Sequence, residues 1–219
     1  MQCYWSSHRI ITKVRITFAT IQNSSQRLHK VNSIQIRKVG RIHGRSLILR
    51  NACVTDAKFI LKLRMDENKS RHISKISGEL ISQQNWLEEY EKSNSEAYFI
   101  IENLYGIPLG TVRLYDARGD SFCWGSWILK DGVPVNAAIE SALMVYSYAL
   151  HSLGFVNAHF QVHKSNAHVC RFHERFGAIR VSEDKIQYEY TISNLAINLS
   201  MEKYLRYLPN GIVIEDMTK

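Results

Sequence analysis

The chain has four cysteines, Cys3, Cys53, Cys123 and Cys170, and no two of them form a Cys-x-x-Cys pair. At 219 residues and 45% hydrophobic content a core can form without cross-links. Free thiols are therefore expected, in a reducing compartment, and with them a cytoplasmic location. Long apolar runs are also missing: none approaches the roughly 18 residues that cross a bilayer. No h-region leads into a small-residue cleavage site, so secretion is not expected either. The nine histidines contain no set of four ligands at zinc spacing. His159 and His163 share a strand face and Cys170 and His173 share a helix, but no carboxylate joins them, and no metal is expected. No Ser-His-Asp or Cys-His nucleophile arrangement can be identified, so no covalent enzyme intermediate is expected.

Acidic residues are absent from the first 45 positions, which carry nine Lys and Arg. Removing those nine from the 28 basic residues leaves 19 against 20 acidic ones. The net charge of +8 thus belongs to an N-terminal extension, and it gives no reason to expect nucleic acid as a partner. The basic, Ser-containing, acid-free segment 1–30 is compatible with a mitochondrial transit peptide, an upstream start or a basic tail. Three divisions are expected: 1–45 as a poorly ordered extension, 46–198 as the folded domain, and 199–219 as a tail with a short helix.

From Ser46 the patterning is that of a folded domain. SLILR at 46–50 reads as a strand, and Thr55-Asp56 as a cap before a helix over 57–65. A polar loop, 66–77, leads to a helix around 83–92. Three strands follow at 97–102, 109–115 and 122–129. The strongest helix spans 135–153, with Val135, Ile139, Leu143, Tyr146 and Leu150 in one stripe, Pro134 before it and Gly154 after it. A strand at 158–162, a helix at 167–176 and strands at 179–181 and 185–192 complete the domain. This order predicts an α/β fold with a mixed, mostly antiparallel sheet of six or seven strands and about four helices.

That order, together with FCWGSWILKDGVPVNAAIESALMVYSYALHSLGF at 122–155 and VHKSNAHVCRFHERFGA at 162–178, resembles the GNAT acyl-CoA N-acyltransferase family. The likeness covers about residues 46–195. It is strongest to bacterial members that acetylate amino groups on nucleotide-linked sugars. The resemblance implies acetyl-CoA as co-substrate and a small-molecule amine as acceptor. Acetylation of a protein N-terminus or lysine, and a GNAT-fold binding module without cofactor, are the alternatives. Whether the chain forms a homodimer is left open.

The resemblance also assigns residues. Trp127, Ile128 and Leu129 become backbone partners of the pantetheine arm. Lys130, Gly132, Val135, Asn136 and Ala137 replace the family's glycine-rich phosphate loop, of which one glycine is kept. A helix that follows directly on a strand presents free N–H groups and the positive end of its dipole, which suits a pyrophosphate independently of any likeness. Gly125 within an aromatic strand predicts a bulge or a close backbone approach. Asn166 is placed on the pantetheine or at the helix start. The loop 66–77 becomes the acceptor site, with Asn68, Arg71 and His72 as polar contacts. Where many members carry a tyrosine that protonates the departing thiolate, this chain has His173, which becomes the expected general acid. The base is open among Asp116, Glu102, His159, His163 and a water chain.

Overall fold

The computed structural model describes residues 34–72 and 76–217. The segment 1–33, and with it the transit-peptide reading, lies outside the described residues. Among the described residues nine strands form one sheet: β1 (Arg41–His43), β2 (Leu47–Asn51), β3 (Ala97–Asn103), β4 (Pro108–Arg118), β5 (Ser121–Leu129), β6 (Asn157–His163), β7 (Ile179–Glu183), β8 (Gln187–Ser193) and β9 (Val213–Glu215). Their order is β7-β8-β6-β5-β4-β3-β2-β1-β9. All neighbours run antiparallel except β5 and β6. The helices are α1 (Ala57–Met65), α2 (Glu67–Ser70), α3 (Leu80–Lys92), α4 (Ala137–Ser147), α5 (Ala167–Arg175) and α6 (Asn194–Lys203).

The alternation of side chains along each strand sorts the core into two layers. Phe99, Leu114, Phe122, Trp124 and Phe160 pack with Leu143, Tyr146 and Phe176 of the α4–α5 layer. On the other face Tyr98 and Ile100 meet Ile60 of α1 and Leu87 and Tyr90 of α3. Each fully buried side chain of this size contributes about 1.5–3 kcal/mol. Tyr90 fixes α3 further: its hydroxyl donates to Asn51 Oδ1 at 2.6 Å and accepts the Tyr98 N–H at 2.8 Å.

Two expectations about the ends are corrected. Residues 36–45 are not an appended tail, because Ile36, Val39 and Ile42 are buried and β1 pairs with both β2 and β9. The C-terminal segment is likewise part of the sheet: β9 flanks β1, and α6 straddles the expected boundary at 198. These two short strands raise the sheet from the expected six or seven strands to nine. A third correction concerns the long helix. It starts at Ala137, so Val135 is fully exposed rather than part of the apolar stripe. Its last turn, Tyr148–Leu153, is a π-turn closed by Gly154 at φ +89°, the left-handed conformation that glycine adopts without strain.

Candidate active site

The site begins where β5 and β6 part. They pair only over Ser121–Cys123 and Asn157–His159, and beyond that point the two strands diverge into a wedge. β5 carries a bulge at the same place. Thr111 faces Ile128 while Arg113 faces Gly125, which leaves one extra residue on β5. Ser126 takes a positive φ of 47°, and its carbonyl accepts the Thr111 hydroxyl at 2.8 Å. Gly125 lies under Tyr115, where a Cβ would stand 3.0 Å from the phenolic hydroxyl, a tight contact. The bulge expected from Gly125 is therefore present, one residue further on.

At the open end of the wedge, Lys130-Asp131-Gly132 turns the chain toward α4, with Gly132 at φ +73°. Ala137 N–H closes the entry turn on the Pro134 carbonyl at 2.9 Å. The Asn136 side chain points away from any phosphate role, donating to Ser46 Oγ at 3.2 Å and to Glu140 Oε2 at 3.1 Å. Glu140 is fully buried and accepts the N–H groups of Ser46 and Leu47 at 2.6 and 3.0 Å. This network holds the β1–β2 hairpin against the start of α4. Trp127 is half-buried between the two helices; its indole N–H donates to Ser141 Oγ at 3.2 Å and its ring centroid lies 4.9 Å from that of Phe172. Ile128 is buried and Leu129 half-buried. Asn166 caps α5 through Val169 N–H at 3.4 Å, the helix-start role.

His173 is corrected as a general acid. It packs among Trp124, Phe160 and Phe172, is 6% exposed, and burial pushes its pKa down to about 3. A desolvated imidazole is neutral at pH 7, and its one remaining N–H is far too weak an acid to protonate a thiolate. Burial of the side chain, not its spacing from Asn166, decides its chemistry.

The four candidate bases separate. Glu102 is buried and held by Arg50 Nε at 2.8 Å, in a network that includes Asp56. Asp116 is bound to Arg118, which holds its carboxyl below the usual range. His159 lies between Ser121 Oγ, 2.8 Å from Nδ1, and Asp116 Oδ2, 3.5 Å from Nε2, a grouping the sequence did not reveal. His163, at the end of β6, comes instead against His72.

The face opposite α4 holds a cavity of about 270 Å³ between α1, α3, β3 and β4, with Ser126 of the bulge in its lining. Arg64, Gln83, Trp86, Tyr98 and Arg113 supply its polar and aromatic surface. Arg113 lies over Trp86, 5.1 Å from the ring centroid, and is ion-paired to Glu96. The stretch 66–77, expected as a loop, forms α2 at Glu67–Ser70; beyond it Ile76 and Ser77 line this cavity, whereas Asn68 and Arg71 are exposed outside it. Sequence reasoning missed Arg113 and Trp86. A lone Arg in a strand carries no pattern, and Trp86 reads as part of the apolar side of α3.

A sheet parted at a bulge, with a helix N-terminus at the open end, offers free backbone for an extended ligand arm and a place for its anionic end. Comparison with known proteins specifies the class. The model of the acetyltransferase (GNAT) domain matches residues 46–179. The apo structure of FdhC, a nucleotide-linked sugar GNAT, is 38% identical, covers 77% of this chain and 98% of its own, and superposes with a TM-score of 0.70. A GCN5-related N-acetyltransferase from Brucella melitensis (16% identity, 76% and 84% covered, TM-score 0.64) shares the fold. So does spermidine N-acetyltransferase from Vibrio cholerae in complex with CoA and spermine (15%, 70% and 98%, 0.62). No protein of curated function matches. The chain belongs to the GNAT family and is an acetyl-CoA-dependent N-acetyltransferase.

Proposed function

We propose that the chain acetylates the amino group of a nucleotide-linked sugar by direct attack of the amine on the thioester. The observation that carries this reading is the cavity lined by Trp86, Arg64 and Arg113 with Ser126 of the bulge at one side. A planar ring can lie against an indole, and a guanidinium suits a phosphate oxygen. FdhC, described as a nucleotide-linked sugar GNAT, supports the same acceptor class.

Acetyl-CoA supplies the activated acetyl group. In this reading the backbone of Trp127, Ile128 and Leu129 aligns the pantetheine, and Lys130, Gly132, Val135, Ala137 and the N-terminal turn of α4 hold the pyrophosphate. Asn136 and Asn166 act indirectly, by fixing the starts of α4 and α5. Backbone N–H groups of β5 at the bulge stabilise the oxyanion. The free thiols Cys53, Cys123 and Cys170 fit a reducing, cytoplasmic setting.

Release of CoA thiol from acetyl-CoA tests the acceptor class against nucleotide-linked amino sugars, spermidine and peptides with free N-termini. Turnover is expected with the sugars. Turnover of peptides or spermidine alone overturns the proposal. Arg113→Ala is expected to raise the acceptor KM about tenfold and leave that of acetyl-CoA unchanged, with a smaller effect from Arg71→Ala.

A further inference from the structure

We propose that His72 is the general base that deprotonates the acceptor amine, an assignment that rests on the acetyl-transfer reading above. His72 follows α2, and the fold sets its ring centroid 5.1 Å from that of His163 at the end of β6. Ser165 Oγ lies between them, 2.7 Å from His163 Nδ1 and 3.3 Å from His72 Nδ1. A third contact bears on the placement of the protons. The backbone N–H of Ser165 donates to His163 Nδ1 at 3.2 Å. An N–H can only donate, so His163 Nδ1 carries a lone pair and the neutral ring has its proton on Nε2. The Ser165 hydroxyl therefore also donates to His163, and its oxygen accepts from His72. This pattern assigns His72 the Nδ1–H tautomer, with the lone pair on Nε2. Ser165 and His163 are positioning residues.

The surroundings keep this lone pair available near neutrality. Partial burial, with His163 and Arg71 beside it, holds His72 below the ordinary imidazole value. Lys164 is drawn to Glu183 at 3.2 Å and over Tyr188. Placement fits as well. Lys69, three residues before His72, is ion-paired to Asp131 just beyond β5. The segment 69–72 thus crosses from the end of β5 to the end of β6, over the mouth of the wedge. Four residues after His72, Ile76 and Ser77 line the cavity that contains Ser126.

In the step proposed, His72 Nε2 takes one proton from the acceptor's ammonium group. The freed nitrogen lone pair forms the C–N bond to the thioester carbonyl. As the C–S bond breaks, its electron pair leaves on sulfur, which receives the second nitrogen proton. The imidazolium then returns the first proton to solvent.

The test uses the full-length chain, the nucleotide-linked amino sugar turned over best in the panel above, and hydroxylamine, an amine already unprotonated at neutral pH. With the sugar, His72→Gln should lower kcat by about 10²–10³-fold, change the acetyl-CoA KM less than about threefold, and remove the acid limb of the pH profile. With hydroxylamine it should match the parent within about threefold, because no proton has to be removed first. Ser165→Ala should shift the acid limb and lower kcat less. The base assignment falls if His72→Gln keeps parental turnover of the sugar, or if it loses hydroxylamine turnover equally, which marks a structural role. A parent enzyme that turns over no amine overturns the acetyl-transfer reading itself, and that outcome is separately visible.

Discussion

His173 shows how completely surroundings can redirect one side chain. Its pKa falls from an ordinary 6.5 to about 3 in the folded chain, and desolvation is the cause. In the unfolded chain it regains the ordinary value, so the unfolded state binds a proton that the folded state refuses. Stability from this group is fully present above pH 6.5 and declines as pH falls toward 3, by about 1.4 kcal/mol per pH unit. His173→Leu keeps a similar volume and removes that proton. Urea titrations between pH 7 and pH 4 should show a shallower loss of stability in the variant than in the parent. The same variant should retain at least about a third of the parental kcat, since a group that donates no proton contributes none of the 10²–10⁴-fold of a general acid. A collapse of kcat with a native Tm would restore His173 to the chemistry.

At the scale of elements, the junction from β5 to α4 carries the cofactor argument. A glycine-poor loop replaces the family's glycine-rich one, and the start of α4 is held from behind by Glu140, Asn136 and Ser46. Because Asn136 is engaged there, the positive contribution at the junction falls to the helix N-terminus and to Lys130. Lys130→Glu should raise the Kd for CoA about tenfold by calorimetry, while Tm moves by no more than about 2 °C, as expected for a partly exposed charge. An unchanged Kd would mean that the pyrophosphate is held elsewhere.

For the whole molecule, the first and the last of the described strands pair at one edge of the sheet. β1 lies between β2 and β9, with Ile42 wholly buried. Deletion of residues 1–33 should leave the acetyl-CoA turnover and Tm near those of the full chain. Deletion of 1–45 removes Ile36, Val39 and Ile42 as well as β1, and at about 1.5–3 kcal/mol per buried side chain it should cost most of the domain's stability. A native Tm after the longer deletion would show that β1 is dispensable.

By itself the sequence determined the order of β2–β8 and of helices α1, α3, α4 and α5, the bulge near Gly125, the αL residue after the long helix and the segments that carry the family likeness. Each of these is local: a period of two or 3.6, a glycine that a turn requires, a motif read along the chain. Only the tertiary structure decided the rest. Strand β1 has three residues and a basic surround, so nothing in its own pattern marks it; its pairing with β9, about 170 residues away, makes it part of the core. His173 looked like an acid by spacing, and Trp124 and Phe160 made it a core residue. His72 and Ser165 stand 93 positions apart, yet the fold brings Ser165 Oγ to 3.3 Å from His72 Nδ1. Burial, tautomer and long-range pairing depend on what the fold brings alongside a residue, and no window of the chain contains that information.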